Sequence, residues 1–413
     1  MSIRPIWFVP ALLVLACSGW DRSNPLDPRN PDTGGRITDV RLSAIKHDVI
    51  VSWDSVDLPG VIGYQVYRKR ANETSFLPVG SVSATVSSYM DSGRPYEENV
   101  QYAVTAVTSA PYESPLSDSL SILPGPYTFW MLDYYDGSVQ RLTYDGRHAI
   151  TLMRETIWPT AVAVDTSRHQ IWMVDWVTGY LYRMNETGEI DLWISGLDNP
   201  TLVACDPIRQ EICVVNADRT QLVYYSDSGE KIGTGDGFGY ITGLCWSGQS
   251  GRFWVADQDL RQVRLMERSG LVVSACSLSH NWPPILDCHP DENWALLADS
   301  LALVRLYPDG QIDSMTVLDM TVYDISIDRE TGGSWLLLNG PAGADEVVYV
   351  RADGELTVRT EGYYSALAVA AVPGQKGCLV ADTGQGRIVR LHPNGEILGE
   401  RTGLVSPWDV ILY

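Results

Sequence analysis

A chain of 413 residues is too long for one ordinary core, so two or three domains are expected. Its 14 Trp and 21 Tyr against 5 Phe favour pleated strands, 36 Gly and 23 Pro serve turns, and no run shows a helical period. A formal charge of -21 leaves no basic face to displace counterions, which excludes nucleic acid as a partner.

Arg4 precedes an apolar stretch, Ile6 to Ala16, that suits the core of an export signal and is too short to span a bilayer. It ends in Val14-Leu15-Ala16-Cys17, which resembles the lipobox of bacterial lipoproteins, with Val14 where Leu is usual. That resemblance implies a signal peptide over 1–16 and a diacylglycerol on the Cys17 thiol. It also implies a bacterial cell-envelope location with the membrane as a partner through Cys17. Ser18 in place of Asp points to the outer membrane if the cell is Gram-negative. Residues 17–35, with three Pro and a closing Gly pair, read as an extended lipidated tether.

From 36 to 124 short alternating strands are predicted at Val49–Trp53, Gly63–Arg68, Ser88–Asp91 and Val100–Val107. Trp53, Tyr64, Tyr67, the Tyr89-x-Asp91 pair and Tyr102-x-Val104-x-Ala106 resemble a fibronectin type III module. The resemblance implies an immunoglobulin-like sandwich with these aromatics in its core or corners, acting as a rigid spacer.

Residues 127–413 carry an internal repeat of about 41 residues. Each unit has an apolar run ending in Asp or Asn, a second strand, and a Gly turn. The runs close at Asp133, Asp175, Asn216, Asp257, Asp299, Asn339 and Asp382, and five of the seven distances to the turn Gly are 13 residues. A further apolar strand separates the units, as in Trp158–Asp165, Asn199–Asp206 and Trp282–His289. Four strands per period predict an all-β, seven-bladed β-propeller, six blades being the alternative. The repeat begins without its innermost strand and ends with a spare one, Pro407–Tyr413, which should complete the first blade.

The segment Val380 to Glu396 (VADTGQGRIVRLHPNGE) is similar to the NHL repeat, and the other six units match it more loosely. The resemblance implies a propeller of a kind that docks proteins, peptides or nucleic acid, with lactonases and a lyase among its relatives. The preferred function is non-catalytic binding of a protein, peptide or glycan; the alternative is a propeller enzyme of the lactonase or lyase type.

The Asx ring is read as turn caps, because a repeated turn requires a repeated cap. The candidate ligand site is the tunnel mouth, where Trp158, Trp282, Tyr323, Asp324, Trp408 and Asp409 bring aromatic rings beside carboxylates. Asp324 and Asp409 are taken as equivalent, at the position filled elsewhere by Ala161, Leu202 or Gly243. Cys205, Cys245 and Cys288 are likewise aligned and read as small core residues, with any disulfide pairing open. No catalytic residue, metal site or cofactor is assigned, although calcium is compatible with the lactonase alternative. Neither a Gly-x-Ser-x-Gly elbow nor a His-Glu-x-x-His motif occurs.

Overall fold

The computed structural model describes residues 24–110, 112–154, 156, 158–248, 251–278 and 283–412. The signal peptide, Cys17 and Trp282 therefore lie outside the described residues. Almost all regular structure is strand, with short 3-10 turns at Pro341–Gly343 and Thr383–Gln385. Among the described residues no helix is long and apolar enough to cross a membrane. The described residues divide into two compact units, 24–41, 50–91 and 100–121, and 42–49, 92–99 and 122–412.

Residues 24–35 form consecutive turns instead of the expected extended tether. Asn24, Asp27 and Asn30 each accept the backbone N–H two residues ahead, and Leu26 and Asn30 are buried. Short polar side chains offer the backbone local partners, which bends it where proline alone would extend it.

In the first unit a four-stranded sheet runs in the order Leu77–Ser83, Val61–Arg70, Val100–Thr108, Leu120–Ile122. A three-stranded sheet joins Arg41–Ile45, Asp48–Ser52 and Ser88–Asp91. Trp53 and Tyr64 are buried with ring centroids 5.2 Å apart. Buried Asp91 accepts from Tyr102 Oη and Arg68 Nη1, each at 2.7 Å, so its charge is both paired and hydrogen-bonded.

Residues 129–412 form seven four-stranded antiparallel sheets. We number them 1 to 7: residues 129–153 with 407–412, then 159–194, 202–235, 241–277, 285–317, 321–364 and 366–402. Within sheets 2 to 7 the strands pair in sequence order. Sheet 1 is completed from the other end of the chain, Pro407–Leu412 pairing with Phe129–Asp133.

The second strand of each sheet explains the continuous apolar runs. In Gln170–Asp175, Trp172 and Val174 pack toward sheet 3, while Ile171 and Met173 pack toward sheet 1. Alternate side chains point to opposite faces, and both faces are covered, so the positions between the strand ends must be apolar. Seven buried clusters fill the seven gaps between successive sheets, and one of them joins sheet 7 to sheet 1 through Leu379, Ile388, Phe129 and Met131. The sheets thus close into a ring.

Removing residues 407–413 would expose the edge of Phe129–Asp133 and open the gap between sheets 7 and 1. The expected outcome in urea, followed by tryptophan fluorescence, is a midpoint shift of several kcal/mol, beyond the roughly 1 kcal/mol of an ordinary substitution, with loss of a single transition.

Candidate functional site

The innermost strands of sheets 2 to 7 are Pro159–Asp165, Leu202–Asp206, Ile241–Ser247, Ile285–Cys288, Thr321–Ile327 and Ala366–Ala371, and Pro407–Leu412 serves sheet 1. Each pairs with a neighbour on one side only, so its other edge presents unpaired backbone groups. Side chains from the adjacent innermost strand meet several of them. Asp409 accepts from Val162 N at 3.3 Å, Asp287 from Ile327 N at 2.9 Å, and Asp324 from Val369 N at 2.8 Å. Ser326 Oγ accepts from Ala371 N at 2.8 Å, and the Cys205 thiol donates to Val164 O. These contacts tie sheet to sheet along the axis.

Strand register separates Asp324 from Asp409. Asp409 faces Leu132 across its ladder, as Ala161 faces Val174. Asp324 faces Leu337, as Val162 faces Met173, one position further along. All three strands carry a one-residue register shift, between Pro159 and Ala161, Pro407 and Asp409, and Val322 and Asp324, and in sheet 6 the shift falls one ladder step later. Asp287, opposite Leu296, lies one step beyond. The three carboxylates descend the axis.

All three are half-buried carboxylates held against protein. Burial pushes the Asp287 and Asp409 carboxyls up to about 6 despite the backbone N–H groups they accept. Burial lifts Asp324 well above the usual range, and the nearby charges of Asp409 and Asp287 add to it.

Three members of the Asx ring, Asp133, Asp175 and Asp257, cap the turns that follow them, and they do more. Asp175 Oδ1 accepts from Val177 N and Thr178 N, while Oδ2 accepts from Trp158 N. Asp133 accepts from Asp136 N and from Val405 N and Ser406 N. Asp257 holds Gly239, Tyr240 and Leu260 in the same way. Each of these caps therefore fixes both its own turn and the chain arriving at the innermost strand of its sheet.

At this leading end of the strands lies an aromatic stack. Trp408 stacks on Tyr134 with centroids 4.6 Å apart, Tyr134 on Trp158 at 5.5 Å, and Trp158 on Trp176 at 5.3 Å. Tyr135 packs edge-on against Tyr134 and is 69% exposed. The structure thus brings together Trp158 and Trp408 from the sequence-predicted set, through Tyr134. Tyr323 stands on sheet 6, 40% exposed. Tyr134, Tyr135 and Trp176 escaped the sequence reading, although each follows the Asp that ends a second strand. That shared position was the available signal.

The opposite, trailing end opens into a cavity of about 610 Å3. Its wall includes Val164, Cys205, Trp246, Cys288, Ser326, Ala371 and Leu412, one residue from the same register position of every sheet. Cys245 and Cys288 form a disulfide with Cα atoms 5.7 Å apart, linking the innermost strands of sheets 4 and 5. This corrects the reading of three aligned core thiols. Cys288 matches Cys205 in register, whereas Cys245 lies one residue earlier. Among the described residues no group of three or more His, Cys, Asp or Glu is placed to hold a metal ion.

No family model and no curated protein matches this sequence. Solved structures share its fold. One, assigned as a 6-phosphogluconolactonase of Bacteroides uniformis, aligns with a TM-score of 0.57 at 14% identity over 70% of this chain and 99% of that one. The ring is of the β-propeller type. A second protein so assigned, from Bacteroides fragilis, aligns with a TM-score of 0.56 at 12% identity, over 70% and 98%. Virginiamycin B lyase of Staphylococcus aureus gives 0.51 at 13% identity, over 61% and 87%. Similarity at this level speaks for the propeller architecture and leaves function to the site.

The raised carboxyls make a pH prediction. Asp409 holds its proton more tightly folded than unfolded, where its value is about 3.9. Its contribution to stability is therefore complete below that value and is lost as pH rises through about 6. Asp409→Asn keeps an oxygen for the Val162 N–H and cannot ionise. Urea midpoints should shift in favour of the variant by about 2 kcal/mol between about pH 4.5 and pH 7.5. A pH-independent difference would refute this account.

Proposed function

We propose that this protein is a lipid-anchored envelope receptor whose seven-bladed, NHL-type propeller binds a protein, peptide or glycan without catalysis. The single observation that carries this reading is the stack Trp408–Tyr134–Trp158–Trp176 at the leading end of the innermost strands. It spans two sheets and carries the exposed Tyr135 edge-on against Tyr134. Amphipathic rings held rigid by one another lose little entropy on binding, which suits them to anchor a ligand. The axial carboxylates support the same reading, since each already accepts a backbone N–H and braces a neighbouring sheet.

The unit before residue 122 is, in this proposal, a fibronectin type III spacer, supported by the Trp53–Tyr64 pair and the Asp91–Tyr102–Arg68 network. The anchor is Cys17. Lipid label and membrane association of the full chain expressed in bacteria should both vanish in Cys17→Ser, and retention of label by the variant would end the lipoprotein assignment.

For the binding face, the purified chain is tested for retention on immobilised envelope polysaccharide and on envelope protein. Trp158→Ala and Trp408→Ala should each weaken retention roughly ten- to a hundredfold while the thermal transition remains cooperative. Unchanged retention in both would refute the site. The lactonase or lyase alternative draws on the fold shared with the Bacteroides proteins. Turnover of 6-phosphogluconolactone that is lost in Asp324→Asn would favour it instead.

A further inference from the structure

The cavity at the trailing end of the innermost strands lies at the opposite end of those strands from the aromatic stack and is independent of it. One register position of a ring would give a symmetric opening if its residues were alike. Here they are not. Sheet 4 places Trp246 on the wall, while sheets 6 and 7 place Ser326, Ala370 and Ala371 there. The small side chains leave the space, and the indole gives it a flat apolar side. Its volume of about 610 Å3 falls within the range of roughly 300–1,000 Å3 that takes a drug-sized molecule.

Few polar groups converge on this space, and their capacity is specific. Asp287 Oδ1 accepts the Cys288 N–H and Oδ2 the Ile327 N–H, which leaves each oxygen one further acceptor position. Ser326 Oγ accepts the Ala371 N–H and retains its own proton to donate. Asp291 adds a second carboxylate at the wall. Arg329, also on the wall, lies over the Tyr127 ring, 5.5 Å from its centroid. Two carboxylates against one guanidinium leave the wall acidic on balance, and a hydrogen-bond donor finds ready acceptors at Asp287.

We propose that this cavity is a second binding site, for one uncharged, largely apolar molecule of one to three rings that bears an N–H or O–H donor. The apolar body lies against Trp246 and the small residues of sheets 6 and 7, and the donor meets Asp287.

The full chain is titrated with N-phenyl-1-naphthylamine, an uncharged apolar amine, following probe emission and quenching of tryptophan fluorescence. The expected result is one saturable equivalent per chain. Ala371→Phe, which fills the space from its small-residue side, should weaken binding by at least roughly tenfold. Ile208→Glu places a charge at the rim, where Ile208 is 65% exposed and the change leaves the core intact. It should also weaken binding, and it decides the matter alone if Ala371→Phe fails to fold. Val317→Ser, an exposed change outside the cavity wall, should leave binding unaltered. The anionic analogue 8-anilinonaphthalene-1-sulfonate should bind roughly tenfold more weakly. Absence of saturable binding, equal binding by Ile208→Glu, or preference for the anion would overturn the proposal.

Discussion

The pairing of Pro407–Leu412 with Phe129–Asp133 is the interaction on which the rest of the ring depends. A four-stranded sheet in this arrangement is buried on both faces, so none of the seven can be stable beside an open gap. Closing the last gap requires strands from opposite ends of the repeat in one sheet. Residues separated by nearly the whole repeat must therefore find each other before the seven clusters are all covered. Asp133 reinforces that join by accepting the N–H groups of Val405 and Ser406, which lead into the closing strand.

Closure creates a second constraint at the centre. Seven innermost strands turn an unpaired edge toward the axis, where backbone groups need partners that no further strand supplies. Asp287, Asp324, Ser326 and Asp409 meet that need by reaching across to the neighbouring sheet. Ionisation of the three carboxyls is costly in that setting, and for Asp287 and Asp409 half-protonation near pH 6 is the compromise between desolvation and hydrogen bonding. Carboxylates that resemble a catalytic or ligand-binding set are thus engaged in holding the wheel together. The two ends of the axis remain free to differ, one carrying stacked rings and the other an asymmetric apolar cavity.

The regular part of the structure was readable because the same physical demand recurs in every sheet. A strand covered on both faces must be apolar between its ends, and an Asp or Asn closes it before the turn. Those two rules mark second strands from Phe129–Asp133 to Cys378–Asp382. The site was less readable because it consists of exceptions. Tyr134 meets Trp408 within sheet 1 and Trp158 meets Trp176 within sheet 2, and the two pairs become one stack only when the two sheets are neighbours. The bulges in the innermost strands have a similar effect. The bulge of sheet 6 falls one ladder step later than that of sheet 1, with Asp324 one step beyond Asp409, and Cys245 likewise sits one step from Cys205 and Cys288.

The sequence by itself determined the all-β class, the repeating apolar strands, their capped turns and the spare C-terminal strand. All of these follow from local period and local hydrogen bonding, which a chain carries in its own order. Tertiary structure decided which thiols join, which carboxylates brace which strands, which rings stack, and where a cavity opens. Each depends on contacts between adjacent sheets whose register is set by bulges and by closure of the ring. A one-residue shift reverses the direction of every side chain beyond it, and local pattern does not report that shift.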